Sequence, residues 1–192
     1  SETVALDYEF DHWNTGGTSR VWVKVPLLAT NTDFIWAYWG DAALAVEPAP
    51  CTTNGATWNE GYRAVYHLNE VVAAAEASNV YADATANRLQ GYQRNTYTWA
   101  SGLVGGAQQA DGGDDWIRLP GSVVESNAYT MEIWYRPGNS EAWGGVLNPT
   151  DGVGGQISMS GGSGHEFWCA NRDGSETVVS PPLAYFSTST SP

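Results

Sequence analysis

The chain has little lysine, few charges and no long apolar run. Lys24 is its only lysine, and charged residues make up 15% of its 192 positions. No stretch approaches the ~20 apolar residues that a transmembrane helix needs, and the N-terminus lacks the basic and apolar regions of a signal peptide. We therefore expect no membrane insertion. A secreted form would have lost its signal or been cut from a longer chain.

The few charges are strongly unbalanced. Acids outnumber bases 21 to 8, which gives a formal charge of -13. A surface of this sign repels phosphate backbones and anionic lipid head groups. The sequence therefore excludes nucleic acid as a partner, whereas neutral glycans and cations remain candidates.

Cysteine is also scarce. Cys51 and Cys169 are the two in the chain. An even count suits a disulfide in an oxidising compartment, but free thiols also pack as small buried groups. The spacing leaves both readings open, a Cys51–Cys169 bridge and two buried thiols.

Glycine and tryptophan are abundant, and short apolar segments alternate with Gly- and Asn-containing turns. Segments rich in β-branched and aromatic residues predict strands. The predicted strands cover residues 6–13, 21–25, 34–39, 62–68, 116–119, 129–135, 145–147, 156–159, 166–170 and 177–179. Residues 21–25 and 34–39 are predicted to pair as a hairpin, and the Ala-rich residues 71–77 to form one or two helical turns. No βαβ alternation occurs, so the fold class is all-β, an antiparallel β-sandwich or jelly roll.

Residues 47–60 divide the chain. They combine Pro, Asn, Gly and Thr without periodicity, which is typical of a linker. The prediction is a partial β-domain over residues 1–46, a linker over 47–60, and a second domain over 61–192.

The second segment resembles a known family. GYRAVYHLNE at 61–70, ADATAN at 82–87 and Gly91 are similar to the opening of LamG-type, concanavalin-A-like domains. These have an aromatic-His-Leu-Asp/Glu strand and then an Asp-Ser/Thr-x-Asn-x-x-Gly turn. GDDWIRLP at 113–120 and YTMEIWY at 129–135 resemble later strands of that family. The resemblance implies a jelly roll that is incomplete, because such domains usually continue well past residue 192.

The first segment has a likeness of its own. LDYEFDHW at 6–13, VWVKVP at 21–26 and AYWG at 37–40 resemble the second half of a bacterial domain of unknown function. That domain commonly precedes a LamG-type domain in surface and secreted proteins and in periplasmic parts of proton-channel proteins. The resemblance implies a secreted, cell-surface or periplasmic bacterial protein.

Catalytic patterns are weak. A glycosidase needs two carboxylates about 5 to 10 Å apart, but the 129–135 strand offers only Glu132, with Trp134 and Arg136 at the alternate positions. Residues 156–158 and 185–187 faintly resemble polysaccharide-lyase motifs without their His and Lys. The three histidines lack zinc spacing, and no nucleophile elbow or phosphate loop is present. We predict no enzyme, no catalytic residue and no required cofactor.

Calcium is a candidate ligand, because hard cations bind carboxylate, amide and carbonyl oxygens. Asp111, Asp114 and Asp115 bunch such groups in one loop, and residues 171–176 do so in another. A solvated acidic turn explains each cluster equally well.

Eight of the ten Trp residues fall into two sets. Those within strand patterns are predicted to be core, namely Trp22, Trp36, Trp116, Trp134 and Trp168. Trp58, Trp99 and Trp143 occur in polar loops, where an exposed indole could stack on a sugar. The alternative is that a loop Trp caps the end of a sandwich.

These observations favour a non-catalytic extracellular binding or adhesion module, with a polysaccharide as its ligand. The alternative is a structural or assembly subunit that self-associates through sheet edges. A polysaccharide-active enzyme ranks last, since fold alone does not assign function.

Overall fold

A computed structural model describes residues 4–40, 43, 49–99, 102–111, 113–123 and 130–136, and the backbone of 144–147, 156–160 and 166–170. The chain divides into two compact units, Ser1–Val123 and Val124–Pro192. Within the described residues every strand pair is antiparallel, and the α-helix is limited to one four-residue segment. The prediction of a strand-rich, antiparallel chain with almost no helix is confirmed.

Seven strands lie in the first unit and three in the second, counted over the described residues. In chain order they are β1 Tyr8–His12, β2 Arg20–Val23, β3 Glu76–Tyr81, β4 Gly91–Arg94, β5 Tyr97–Trp99, β6 Ala107–Gln109, β7 Trp116–Arg118, β8 Gly144–Leu147, β9 Gln156–Ser160 and β10 Glu166–Ala170. The first unit contains the sheets β1-β2, β3-β4-β7 and β5-β6, and the second contains β10-β9-β8. Helix α1 spans Cys51–Asn54, and 3-10 turns span Ala56–Trp58 and Gly121–Val123.

Six predicted strands are confirmed in position. Residues 6–13, 21–25, 116–119, 145–147, 156–159 and 166–170 contain or overlap β1, β2, β7, β8, β9 and β10. In each, β-branched or aromatic residues stand near glycine or asparagine in the sequence, so the local pattern is sufficient to predict a strand. Residues 177–179 lie outside the described residues.

The predicted hairpin of residues 21–25 with 34–39 is wrong. Strand β2 pairs with β1 instead, with Glu9 opposite Trp22, because the turn at Asn14 brings the chain back directly after β1 (Gly17 N to Asn14 O, 3.3 Å). Residues 34–39 form no strand, and Trp36, predicted to be core, is 64% exposed.

The helix predicted over residues 71–77 is also wrong. Residues 71–75 are irregular, and β3 begins at Glu76. The Gln93 amide donates to Ala73 O at 2.7 Å, and the Thr98 hydroxyl accepts from Val72 N at 2.6 Å and donates to Val72 O at 3.0 Å. Neighbouring strands thus take the backbone groups that a helix would need, which overrides the weak propensity of alanine.

Two further predicted strands are not formed. Residues 62–68 contribute only an isolated bridge between Tyr66 and Asp83. Residues 130–136 are irregular, and Trp134, predicted to be core, is 73% exposed. No described strand pairs with either segment, and an unpaired strand has no ladder to hold it extended.

Residues 47–60, predicted as a linker, contain helix α1 and the 3-10 turn Ala56–Trp58. Side chains on either side of this segment are in contact, since the Trp22 and Trp58 rings lie 5.4 Å apart. The first compact unit therefore runs through the predicted boundary, and the division into domains at 47–60 stays a prediction.

The centre of the first unit is polar as well as apolar. Tyr81, Asp83 and Thr85 are fully buried. The Asp83 carboxylate accepts four hydrogen bonds, from Val65 N (3.1 Å), Thr85 N (2.9 Å), Thr85 Oγ1 (2.9 Å) and Leu89 N (2.8 Å). Since a buried carboxylate is tolerated only when its lone pairs are satisfied, Asp83 holds the 63–66 segment to the 83–89 turn.

The tyrosines on either side of this network, Tyr66 and the fully buried Tyr81, are held by hydrogen bonds. Tyr66 Oη donates to Leu89 O, and burial, followed by the nearby Asp83 carboxylate, raises the pKa of Tyr66. Tyr81 Oη lies 2.5 Å from Thr96 Oγ1. A side chain at Gly91 would place its Cβ only 3.0 Å from Tyr81 Cβ, so glycine allows β4 to lie against this ring.

Candidate functional site

A cleft of about 520 Å³ lies between β2 and the loop that follows helix α1. Trp22 of β2 and Lys24, which follows that strand directly, line it on one side, and Trp58, Glu60 and Tyr62 line it from the loop. We call these five residues the aromatic cleft.

Local structure places the loop side of the cleft. Helix α1 ends at Gly55, whose φ of +84° belongs to the left-handed region. The Asn54 side chain then accepts Ala56 N at 2.9 Å, and Trp58 N donates to Gly55 O at 3.0 Å. This tight turn projects Trp58 toward Trp22 of β2. Lys24 follows the strand directly, and its N–H still donates to Asp7 O at 2.9 Å.

Three aromatic rings meet in the cleft. Trp22 and Trp58 are 5.4 Å apart with an interplanar angle of 61°, and Trp58 and Tyr62 are 5.3 Å apart at 82°. Both pairs are edge-to-face, a favourable arrangement for aromatic rings. Tyr62 is half-exposed, so the cleft offers an aromatic surface to a ligand.

A polar cluster behind the rings fixes their orientation. Glu9 Oε2 accepts a 2.5 Å hydrogen bond from Trp58 Nε1 and lies 3.4 Å from His67 Nε2. The His67 ring stacks on Trp22 with centroids 5.5 Å apart and an angle of 14°. Asp11 Oδ1 lies 3.9 Å from His67 Nδ1, and these three ionisable side chains are largely buried. The cluster therefore holds both indoles in place.

Lys24 and Glu60 form the charged rim. Lys24 Nζ donates to Glu60 Oε1 at 2.8 Å and also to Asn59 Oδ1. The hydrogen bond and the charge of the Lys24 ammonium lower the pKa of Glu60. The pair leaves the rim polar but without a net charge.

A second cleft of about 560 Å³ lies near the other end of the β1-β2 hairpin. Asp11, Arg20, Asn69 and Gly105 line it. Asn69 Nδ2 donates to Asp11 Oδ1 at 3.2 Å, whereas Asp11 Oδ2 is buried and has no partner among the described residues. A Cβ on Gly105 would lie 2.5 Å from that oxygen, so the backbone itself covers the carboxylate and keeps a ligand away from it.

Of the three candidate sugar-binding tryptophans, the two that the structure describes lie in different elements. Trp58 lines the aromatic cleft. Trp99 lies in β5, paired with Ala107, and is 44% exposed. Trp143 lies outside the described residues. Whether any of them binds a glycan stays a prediction.

The candidate calcium ligands have protein partners. Asp114 Oδ2 accepts from Arg94 Nη2 at 3.1 Å and from Asn95 Nδ2 at 2.8 Å, and these bonds lower its pKa. Asp115 Oδ2 accepts Asp111 N at 2.5 Å, and burial is the main cause of a raised Asp115 pKa. Within the described part of the chain no group of three or more His, Cys, Asp or Glu side chains is arranged for a metal ion. Calcium binding stays a prediction.

Cys51 opens helix α1 and has no disulfide partner among the described side chains. Cys169 lies in β10, and its side chain is outside the described residues. A bridge between the two therefore stays a prediction.

Sequence reasoning missed most of the aromatic cleft. The strand pattern predicts Trp22 to be core, and no motif singles out Tyr62 or Glu60. The available signal is the alternation Trp22-Val23-Lys24, which puts an indole and the only lysine on one strand face. Which loop would face them could not be read from the sequence.

No family model, curated protein or solved structure matches the chain. None of the helices in the described segments has the length and apolar character needed to cross a membrane.

Proposed function

We propose that this chain is a non-catalytic, polysaccharide-binding module of an extracellular bacterial protein, built on a LamG-type β-sandwich, with the aromatic cleft as its binding site. The observation that carries the proposal is the set of three contacting rings, Trp22, Trp58 and Tyr62, between polar rim groups. Apolar walls with a few convergent polar groups are the common form of a small-ligand site. A sugar presents a C–H face to such rings and hydroxyls to such a rim.

The proposal is non-catalytic because the acids near the cleft are already engaged. Glu9 is bonded to Trp58, and Glu60 is paired with Lys24. A glycosidase needs one carboxyl group free to give a proton and another free to attack or activate water. Freeing Glu9 would release the Trp58 indole, and freeing Glu60 would break its ion pair with Lys24.

The test is affinity electrophoresis of the chain through gels that contain one polysaccharide each. We expect at least one polysaccharide to retard the wild type, and Tyr62→Ala to weaken binding about five- to tenfold through loss of a stacking ring. Tyr38→Ala is the matched control, because Tyr38 is 78% exposed and lies outside the cleft. Gels run with calcium and with chelator test the predicted metal dependence at the same time.

Two results would contradict the proposal. One is an absence of retardation across a panel of plant, algal and bacterial polysaccharides. The other is an equal loss of retardation in Tyr62→Ala and Tyr38→Ala, which would place binding outside the aromatic cleft.

One observation favours the assembly role as a second candidate. Four aromatic side chains in residues 34–39 are largely exposed, namely Phe34 (72%), Trp36 (64%), Tyr38 (78%) and Trp39 (76%). An exposed apolar run of this kind often marks an interaction site. The segment around it carries one charge, Asp33, so the electrostatic repulsion between two acidic chains would be least there.

Light scattering across a range of protein concentrations tests that second candidate. Self-association through this segment predicts a mass that rises with concentration and returns to the monomer value in a Trp36→Ser, Trp39→Ser double variant. A monomer mass at every concentration would contradict it.

A further inference from the structure

Lys24 is the one cation among the described residues that line the aromatic cleft. It is also the only lysine in the chain. An ammonium beside aromatic rings would ordinarily attract a carboxylate, phosphate or sulfate group on a ligand. The cleft would then select acidic sugars.

Glu60 already occupies that ammonium. Its Oε1 lies 2.8 Å from Lys24 Nζ, and its side chain is 76% exposed whereas that of Lys24 is 21% exposed. The carboxylate therefore covers the lysine from the solvent side, where a ligand would approach. Asn59 Oδ1 takes another of the three Nζ protons.

The negative charge of the rest of the chain also disfavours an anionic ligand. Glu9 lies behind the rings, bonded to Trp58, and the chain carries a formal charge of -13. An anionic ligand would have to displace Glu60 from Lys24 and approach against this field. A neutral sugar meets neither cost, and its hydroxyls can bond to Glu60 as donors.

We infer that Glu60 is the specificity-determining residue of the aromatic cleft, and that by neutralising Lys24 it restricts the cleft to neutral polysaccharides and excludes uronic acids. The inference rests on the proposed function, because it concerns the same cleft. A uronate and Glu60 carry the same chemical group and compete for the same ammonium, so removal of one should admit the other.

The experiment compares neutral polysaccharides with the same polymers oxidised at the primary hydroxyl to uronates. The variant is Glu60→Gln, which removes the charge but keeps the side-chain length and an oxygen that can accept from Lys24 Nζ. Glu132→Gln is the matched control, since it removes the same charge from another exposed glutamate. Glu60→Gln combined with Lys24→Met removes the ammonium as well.

We expect the wild type and Glu132→Gln to bind the neutral polymer and to bind its uronate form much more weakly. Glu60→Gln should keep neutral binding and gain about two- to fivefold in affinity for the uronate, the range of a partly exposed ion pair. The double variant should lose that gain. Higher salt should reduce the gain as well, because the interaction is ionic.

The outcomes separate this inference from the proposed function. Wild-type preference for the uronate, or equal uronate affinity in Glu60→Gln and Glu132→Gln, overturns the inference and leaves polysaccharide binding intact. Failure of every form to bind either polymer overturns the proposed function, and this inference with it. Neutral binding that survives in Glu60→Gln confirms that the cleft still forms.

Discussion

Substitution of the buried Asp83 by asparagine should destabilise the first unit strongly. The carboxylate is 0% exposed and accepts two hydrogen bonds at each oxygen. Asparagine supplies only one side-chain oxygen. The loss of stability is smallest if its amide nitrogen takes the place of Oδ2, because the Thr85 hydroxyl there can rotate and accept a hydrogen bond from that nitrogen. Leu89 N then faces a second donor at the present 2.8 Å.

The expected cost follows from these bonds. An unsatisfied buried donor costs about 1–3 kcal/mol, and a bond to a charged acceptor contributes about 1.5–3 kcal/mol more than no bond. Removing a buried charge offsets part of the loss. We expect Asp83→Asn to lower the free energy of unfolding by about 2–4 kcal/mol, which is a large share of a domain's stability of about 5–15 kcal/mol.

The assay is urea unfolding followed by tryptophan fluorescence, with an unchanged m-value showing that only stability has changed. Asp114→Asn is the matched control, because the Asp114 carboxylate is 62% exposed and surface ion pairs contribute little. An Asp83→Asn midpoint equal to that of Asp114→Asn would refute the reasoning that Asp83 holds the 63–66 segment to the 83–89 turn.

Three other predictions follow from local geometry and charge. Gly55→Ala should unfold the loop side of the cleft, because its Cβ would lie 2.3 Å from Ala86 N. Gly40→Ala has a similar φ of +85° but open space around it, so it should lower the free energy of unfolding by only about 1 kcal/mol. Equal melting temperatures of the two variants would contradict this. The Thr30 and Ala29 N–H groups lower the pKa of Asp33, so this turn is stabilised above the unfolded-state pKa of Asp33 and loosens as pH falls through the lower folded value. Hydrogen exchange should show this as lost amide protection at residues 29 and 30, and unchanged protection in acid would count against it. Burial raises the pKa of Tyr66, so the contribution of Tyr66 to stability is complete below the unfolded tyrosine pKa and is lost as pH rises through the folded pKa. Tyr66→Phe should therefore flatten the decline of the melting temperature at alkaline pH. An identical decline in both proteins would argue otherwise.

Short strands beside clear turns could be predicted from the sequence, because their signal is local. Strands β7 and β8–β10 combine β-branched or aromatic residues with glycine and asparagine nearby, and no distant partner is needed to see them. The turn residues Asp83, Thr85 and Gly91 also stand out in the sequence, and they lie at or beside the buried polar network of the first unit.

Partner choice could not be predicted, because it depends on contacts distant in sequence. Residues 34–39 have strand composition, but β2 is already paired with β1 through the turn at Asn14. Residues 71–77 have helix composition, but Gln93 and Thr98 take their backbone groups. The aromatic cleft depends on the turn that Gly55 makes, in a segment whose Pro, Gly and Asn content reads as a linker.

Hydroxyl-radical footprinting with and without a bound polysaccharide tests the central claim, that the aromatic cleft is the binding site, most directly. The method reads side-chain exposure at tryptophan and tyrosine, and the chain carries exposed aromatics both inside and outside the cleft. The account predicts protection of Tyr62 and Trp58 by the polysaccharide, with no change at Trp36, Tyr38 and Trp39. Protection confined to residues 34–39, or to Trp99, with Tyr62 still oxidised at its free rate, would contradict it.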